Sequence, residues 1–168
     1  MSESFDITDV DHLTAGAIGE PGKRVFYLQA ASGGQVVSLR LEKAQVAALA
    51  TYLTAMLADL PPPADLPDDL DLIEPVVPEW VVGSLGVSYD ETADRVVLVA
   101  EELVVEEDAA AAAASFRILA TREQMAALSA HGAGLVAAGR PPCALCGQPL
   151  DPEGHVCVRL NGHRRQTS

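Results

Sequence analysis

The feature that most constrains the fold is a short stretch that occurs twice. Residues 42–49 read EKAQVAAL and residues 121–128 read TREQMAAL, so Gln45, Ala47, Ala48 and Leu49 return as Gln124, Ala126, Ala127 and Leu128, 79 positions later. Each copy opens a helical pattern. In the first, Val46, Leu49, Leu53, Met56, Leu57 and Leu60 recur every three or four residues, which predicts a helix from about Glu42 to Leu60. In the second, Thr121 is a natural N-cap with Gln124 at the third helical position of a capping box, and the helix is expected to reach about Ala138. A strand precedes each copy, with apolar residues at matching places: Val37 and Leu39 in the first, Phe116 and Ile118 in the second.

The remaining elements fit around this pair. Arg24–Ala30 and Gln35–Leu41 read as strands joined by a hairpin turn at Ser32-Gly33-Gly34. Pro61-Pro62-Pro63 stops the first helix, and a Pro- and Asp-rich crossover loop runs to Pro78. Trp80–Tyr89 and Arg95–Val105 are strand-like around a turn at Asp90–Asp94. Residues 106–114, with six alanines from Ala109, form a low-complexity loop too short to nucleate a stable helix. Residues 1–23 are polar, with scattered Gly and Pro, and read as an extended arm ending in a turn. The expected fold class is therefore α+β. An internal ββα duplication would give one antiparallel sheet with two helices on one face, followed by a C-terminal zinc-ribbon-like module. The boundary falls at the Gly139-Arg140-Pro141-Pro142 hinge, giving a body over 1–139 and a zinc-binding tail over 140–168.

The case for zinc rests on cysteine placement. All three cysteines, Cys143, Cys146 and Cys157, lie within 15 residues, which is a poor disulfide framework and a good metal cluster. Cys143-Ala-Leu-Cys146 followed by Gly147 lets a tight turn aim two sulfurs at one point. Cys157 supplies the third thiolate. Two histidines compete for the fourth position. His155 shares a face with Cys157 if that segment is extended, and His163 follows the Asn161-Gly162 turn, which suits chain reversal and favours it. The other histidine then serves as an outer partner. Three thiolates and one imidazole fill a tetrahedron and make an electron-rich, weakly Lewis-acidic Zn2+, so the site reads as structural. Iron–sulfur ligation ordinarily takes four cysteines.

Charge sets the partners. The net charge is −13; from Arg140 onward four arginines face two acids, a formal +2, which leaves −15 on the first 139 residues. Such a body repels phosphate backbones, so nucleic acid is not an expected partner, although Arg159, Arg164 and Arg165 make weak contact a third reading. The longest apolar-biased run is far short of a bilayer span, and the acidic N-terminus lacks a secretory pattern. A cytoplasmic protein is expected, with no membrane partner.

Other motifs carry less. Gly19-Glu-Pro-Gly-Lys-Arg24 has a superficial phosphate-loop look, but it lacks the closing Ser or Thr and precedes a strand, so a turn is expected. Trp80 and Tyr89 read as core. His131, before Gly132, reads as a helix-end residue. The acids Asp65, Asp68, Asp69, Asp71 and Glu74 match no calcium-loop spacing and read as a solvated loop. No Ser/His/Asp or paired-acid arrangement is present in the pattern.

Several segments resemble the DUF3090 family of uncharacterised actinobacterial proteins. They are Thr14–Gly22, Arg24–Ala30, Leu41-Glu-Lys-x-Gln-Val-Ala47, Trp80-x-Val-Gly83 with Leu85-Gly86 and Tyr89-Asp90, and the cysteine block through Asn161-Gly-His163. The resemblance implies a cytoplasmic protein. It also implies gene neighbours that are phosphoinositide-kinase-like and histidine-phosphatase-like, and hence a process shared with them, with the phosphoinositide-kinase-like protein as the expected protein partner. The functional expectation is a non-enzymatic zinc-binding adaptor or regulator that docks on a protein partner. The alternative is a small metal- or thiol-dependent enzyme using the cleft between body and tail.

Overall fold

The computed structural model describes residues 2–20, 22–105 and 113–138. The tail expected over 140–168, with Cys143, Cys146, His155, Cys157 and His163, lies outside them, as does the greater part of the alanine-rich stretch. The elements run β1 (Phe5–Ile7), β2 (His12–Ile18), β3 (Val25–Ser32), β4 (Gln35–Leu41), α1 (Lys43–Ala58), β5 (Pro78–Asp90), β6 (Arg95–Glu102), β7 (Ser115–Ala120) and α2 (Arg122–Ala138). All seven strands form one sheet in the order β1-β7-β6-β5-β4-β3-β2.

The α+β class holds, but the sheet is mixed rather than antiparallel. β4 pairs with β5 in parallel, and β1 pairs with β7 in parallel; the other neighbours are antiparallel. The reason is the helix between β4 and β5. A strand that leaves through a helix and returns on the same sheet comes back in the same direction. The repeating unit is also longer than ββα. Each half is a three-stranded meander followed by a helix, β2-β3-β4-α1 and then β5-β6-β7-α2, laid head to tail along the sheet. β1 stands beside β7 as β5 stands beside β4, so the N-terminal strand fills the place that a third unit would supply.

The first 23 residues are thus not an arm. They contribute both edge strands. β2, His-Leu-Thr-Ala-Gly-Ala-Ile, hid itself because it is covered on both faces and built of small residues. Leu13 and Ala15 face the helices, while Thr14 and Gly16 face the other way and are also buried. A Cβ on Gly16 would collide with the Leu72 side chain, so glycine there is a packing requirement.

One face of the sheet carries the core. Alternate residues such as Leu28, Leu39, Leu98, Phe116 and Ile118 point to the same side and are fully buried with Val46, Leu49 and Leu53 of α1 and Met125 and Leu128 of α2. Both helices therefore lie on one face, as expected. They touch through small residues: Ser129 donates to the Ala50 carbonyl (2.9 Å), and its hydroxyl lies 2.7 Å from that of Thr54. The opposite face is crossed by the loop after α1. Thr14 Oγ1 donates to the Leu70 carbonyl (2.5 Å), and the buried Gln29 holds Ile73 at both ends. Its Nε2 donates to the Ile73 carbonyl (3.0 Å), and its Oε1 accepts from the Ile73 amide (2.7 Å). The Pro- and Asp-rich crossover is a strap fastened across β2 and β3.

The repeated glutamines do the same job twice. Gln45 Oε1 accepts from the Glu42 amide (2.7 Å) while its Nε2 donates to the Val82 carbonyl in β5 (3.0 Å). Gln124 Oε1 accepts from the Thr121 amide (2.9 Å) while its Nε2 donates to the Val10 carbonyl just after β1 (2.8 Å). Each closes a helix start and ties it to the segment running parallel beside the preceding strand.

Candidate functional site

The five residues expected to surround zinc, Cys143, Cys146, His155, Cys157 and His163, all fall outside the described residues, so none is brought beside another here. Among the described residues, no group of three or more His, Cys, Asp or Glu side chains is arranged to hold a metal. The acidic strap is the nearest approach. Asp68 and Asp69 border a cavity of about 220 Å³ with Asp11, His12 and Gln124. Two of its polar groups are already engaged: Asp11 accepts from the Gly33 amide (2.9 Å), and His12 Nε2 donates to the Asp71 carbonyl (2.9 Å).

A second cavity, of about 330 Å³, has the opposite character. Gly22, Arg24 and Phe26, from the β2–β3 turn and β3, form one wall; Arg40, Glu42 and Lys43, from the β4–α1 junction, form the other. The turn is the segment with the phosphate-loop look. Its backbone behaves as the sequence suggests: Gly19 (φ 116°) and Gly22 (φ 89°) take conformations open to glycine, and the Lys23 amide donates to the Glu20 carbonyl (2.8 Å) before β3 begins. What sequence spacing did not show is that β4 returns Arg40 and Lys43 to the same corner. The Arg24 guanidinium is held in place, since Nη2 donates to the Leu135 carbonyl of α2 (2.6 Å) and the group lies 5.1 Å from the centre of the Phe26 ring.

A third cavity, of about 540 Å³, is a shallow apolar groove between the helices, lined by Ala47, Ala50, Thr51, Thr54, Ala55, Ala133 and Val136. It is a by-product of the small residues that let α1 and α2 approach.

At the tip of the β5–β6 hairpin three polar groups converge. Arg122 grips Asp94 through two nitrogens, Nε to Oδ1 (3.1 Å) and Nη2 to Oδ2 (3.3 Å), and Tyr89 donates its hydroxyl to Asp94 Oδ1 (2.7 Å). Donation from Arg122 first, and then from Tyr89, holds the Asp94 carboxyl below the usual carboxylate range. The same bond to Asp94 raises the Tyr89 phenol. Arg122 also donates to the Pro61 carbonyl (2.5 Å), so the cluster clamps the hairpin, the start of α2 and the end of α1. This is a structural clamp at the surface.

The remaining sequence candidates are structural. Trp80 is buried, and its Nε1 donates to the Glu3 carbonyl (2.9 Å). His131 does not sit at a helix end, because α2 continues to Ala138.

Fold and cavities together define a class: a mixed-sheet α+β protein of two head-to-tail βββα halves, strapped on one face, with a basic corner on an acidic body. Within that class the chain belongs to the DUF3090 family, described as a protein of unknown function, whose model matches residues 5–157. The match takes in Cys143, Cys146, His155 and Cys157 and ends short of His163. No curated protein and no solved structure matches the chain.

Proposed function

We propose that this protein is a non-enzymatic zinc-binding adaptor or regulator, an α+β body over 1–139 carrying a tail over 140–168 that folds around one structural Zn2+. The observation that carries the reading is ligand density: every cysteine of the chain falls between positions 143 and 157, with His155 and His163 beside them. Cys143, Cys146 and Cys157 supply three thiolates, and His163, or else His155, completes the tetrahedron. A filled, thiolate-rich shell leaves no position for a reacting water and suits a docking module better than an active centre. The charge contrast supports docking too, since a +2 tail and a −15 body present two different surfaces to a partner. The partner this reading proposes is a protein, with a phosphoinositide-kinase-like protein as the first to test, in the cytoplasm.

The test is metal analysis of the purified full chain, followed by cobalt substitution. The expected result is one metal per chain, with a visible spectrum of tetrahedral Co2+ bound by three sulfurs, and loss of metal in Cys143→Ser and Cys157→Ser. His163→Ala should lower zinc affinity more than His155→Ala. A chain that purifies without zinc and takes none up from micromolar solution would refute the proposal. An exchangeable water on the cobalt would instead favour the second reading, a metal- or thiol-dependent enzyme using the body–tail cleft.

A further inference from the structure

We infer that the corner formed by Arg24, Arg40 and Lys43 is a binding site for the phosphate group of a small phosphorylated ligand. The inference starts from where the cations go. The described residues include seven Lys and Arg: Lys23, Arg24, Arg40, Lys43, Arg95, Arg117 and Arg122. Arg117 pairs with Asp6 (3.2 Å) and Arg122 with Asp94 (3.1 Å). Arg95 donates to the carbonyls of Ala93 and Asp94. Among the described residues, no carboxylate makes an ion pair with the other four, although the chain has 24 acids. Those four are neighbours at one end of the sheet, and three of them border the same cavity of about 330 Å³. A protein this acidic has ample means to neutralise a chance cluster of cations. Cations gathered at a concave site with no ion-pair partner among the described residues are what anion recognition requires.

The local arrangement also fits. Arg24 is pre-positioned by the Leu135 carbonyl and the Phe26 ring, so little side-chain freedom remains to be lost on binding. Lys43 occupies the first position of α1, whose first turn contains no acid. A cation there opposes the helix dipole and is locally unfavourable; Glu42 and Gln45 already cap the helix start, so a bound anion would act on the lysine. Among the described residues Glu42 is the one acid on the cavity wall, leaving two positive charges in excess over it, a match for a phosphate dianion. The volume exceeds that of a phosphate alone and lies at the small end of ordinary ligand sites.

The experiment is calorimetric titration of the full chain with orthophosphate and, separately, with ribose 5-phosphate, at low and at raised salt. Both should bind saturably and weaken with salt, with the sugar phosphate tighter because it fills more of the cavity. Equal affinity for the two probes would assign the site to free phosphate, the same chemistry from a different source. Arg40→Gln/Lys43→Gln, which alters exposed side chains and leaves Arg24 in place, should weaken both probes about tenfold or more. Arg95→Gln should not. Absence of saturable binding at millimolar probe, or equal weakening by Arg95→Gln, would overturn the inference. Zinc content is measured on the same samples, so failure here is separable from failure of the metal reading.

Discussion

Asp94 shows how much one residue can hold. It is the one described non-glycine residue with a left-handed backbone (φ 52°), a conformation that Asp tolerates better than most residues, and its carboxylate joins Tyr89 to Arg122. Its folded-state acidity is strengthened, so it contributes stability that is present above its unfolded pKa and lost as pH falls through the lower folded one. Asp94→Asn should therefore lower the melting temperature near about pH 7. The gap from the unaltered protein should begin to close as the pH drops below about 4, the ordinary aspartate range, and close fully only below the lower folded value, where Asp94 is protonated in folded and unfolded states alike. A gap that stays constant across that range would show that the charge is not what matters. Gln29 tests a buried contact. Gln29→Leu keeps the volume but strands the Ile73 amide and carbonyl under the strap, at an expected cost of about 2–4 kcal/mol in urea unfolding. Faster proteolytic cleavage within 64–77 should accompany it. No pattern in the sequence singled out Gln29, because a glutamine inside a strand-like run looks solvent-facing until a distant segment is known to lie over it.

At the scale of elements, the repeat was the most legible part of the fold. Period-three-and-four apolar residues and two matching helix starts placed α1 and α2 within a residue or two. The strands β3 to β7 were legible because they are rich in β-branched and aromatic residues. β1 and β2 were not, since a three-residue strand and a strand of small residues covered on both faces leave no alternation to read. Parallel pairing at β4–β5 was missed for a different reason: strand direction is decided by the route of the connection, which local pattern does not record. The glutamines connect these levels. Gln45→Ala and Gln124→Ala each remove a helix-start bond and a tie to a neighbouring segment, so each should cost about 1–2 kcal/mol. Since the two share no partner, the double variant should cost roughly the sum, within about 0.5 kcal/mol. Strong non-additivity would mean that the halves fold as one coupled unit. Gly132 offers the opposite sign. A Cβ there would sit 3.4 Å from Val46 Cγ1 and 4.0 Å from Ala50 Cβ, ordinary contact distances, so Gly132→Ala should stabilise α2 by up to about 1 kcal/mol through helix propensity alone.

For the whole molecule, the question is whether body and tail are one folding unit. The body has its own core: the sheet face and both helices share a single cluster of buried apolar residues. The tail offers little of that kind. Between Arg140 and Ser168 the larger apolar side chains are Leu145, Leu150, Val156, Val158 and Leu160, against three cysteines and a formal +2 charge. On this composition apolar burial alone falls short of the conformational entropy of ordering about 30 residues, and the metal would have to supply the difference. Structural zinc sites provide on the order of 10 kcal/mol of apparent folding free energy near neutral pH, enough to close such a gap. Removing zinc by chelation should therefore affect the two parts unequally. The urea and thermal transitions of the body should be unchanged, while cleavage after Arg159, Arg164 or Arg165 by a trypsin-like protease should accelerate sharply and slow again when zinc is restored. If chelation instead shifts the main transition of the body, zinc is integral to a single cooperative fold, and the division at the Gly139–Pro142 hinge must be abandoned. A thermal transition and a protease rate measured on the same chelated sample separate those outcomes, because the first reports on the shared core and the second on the segment that carries the cysteines.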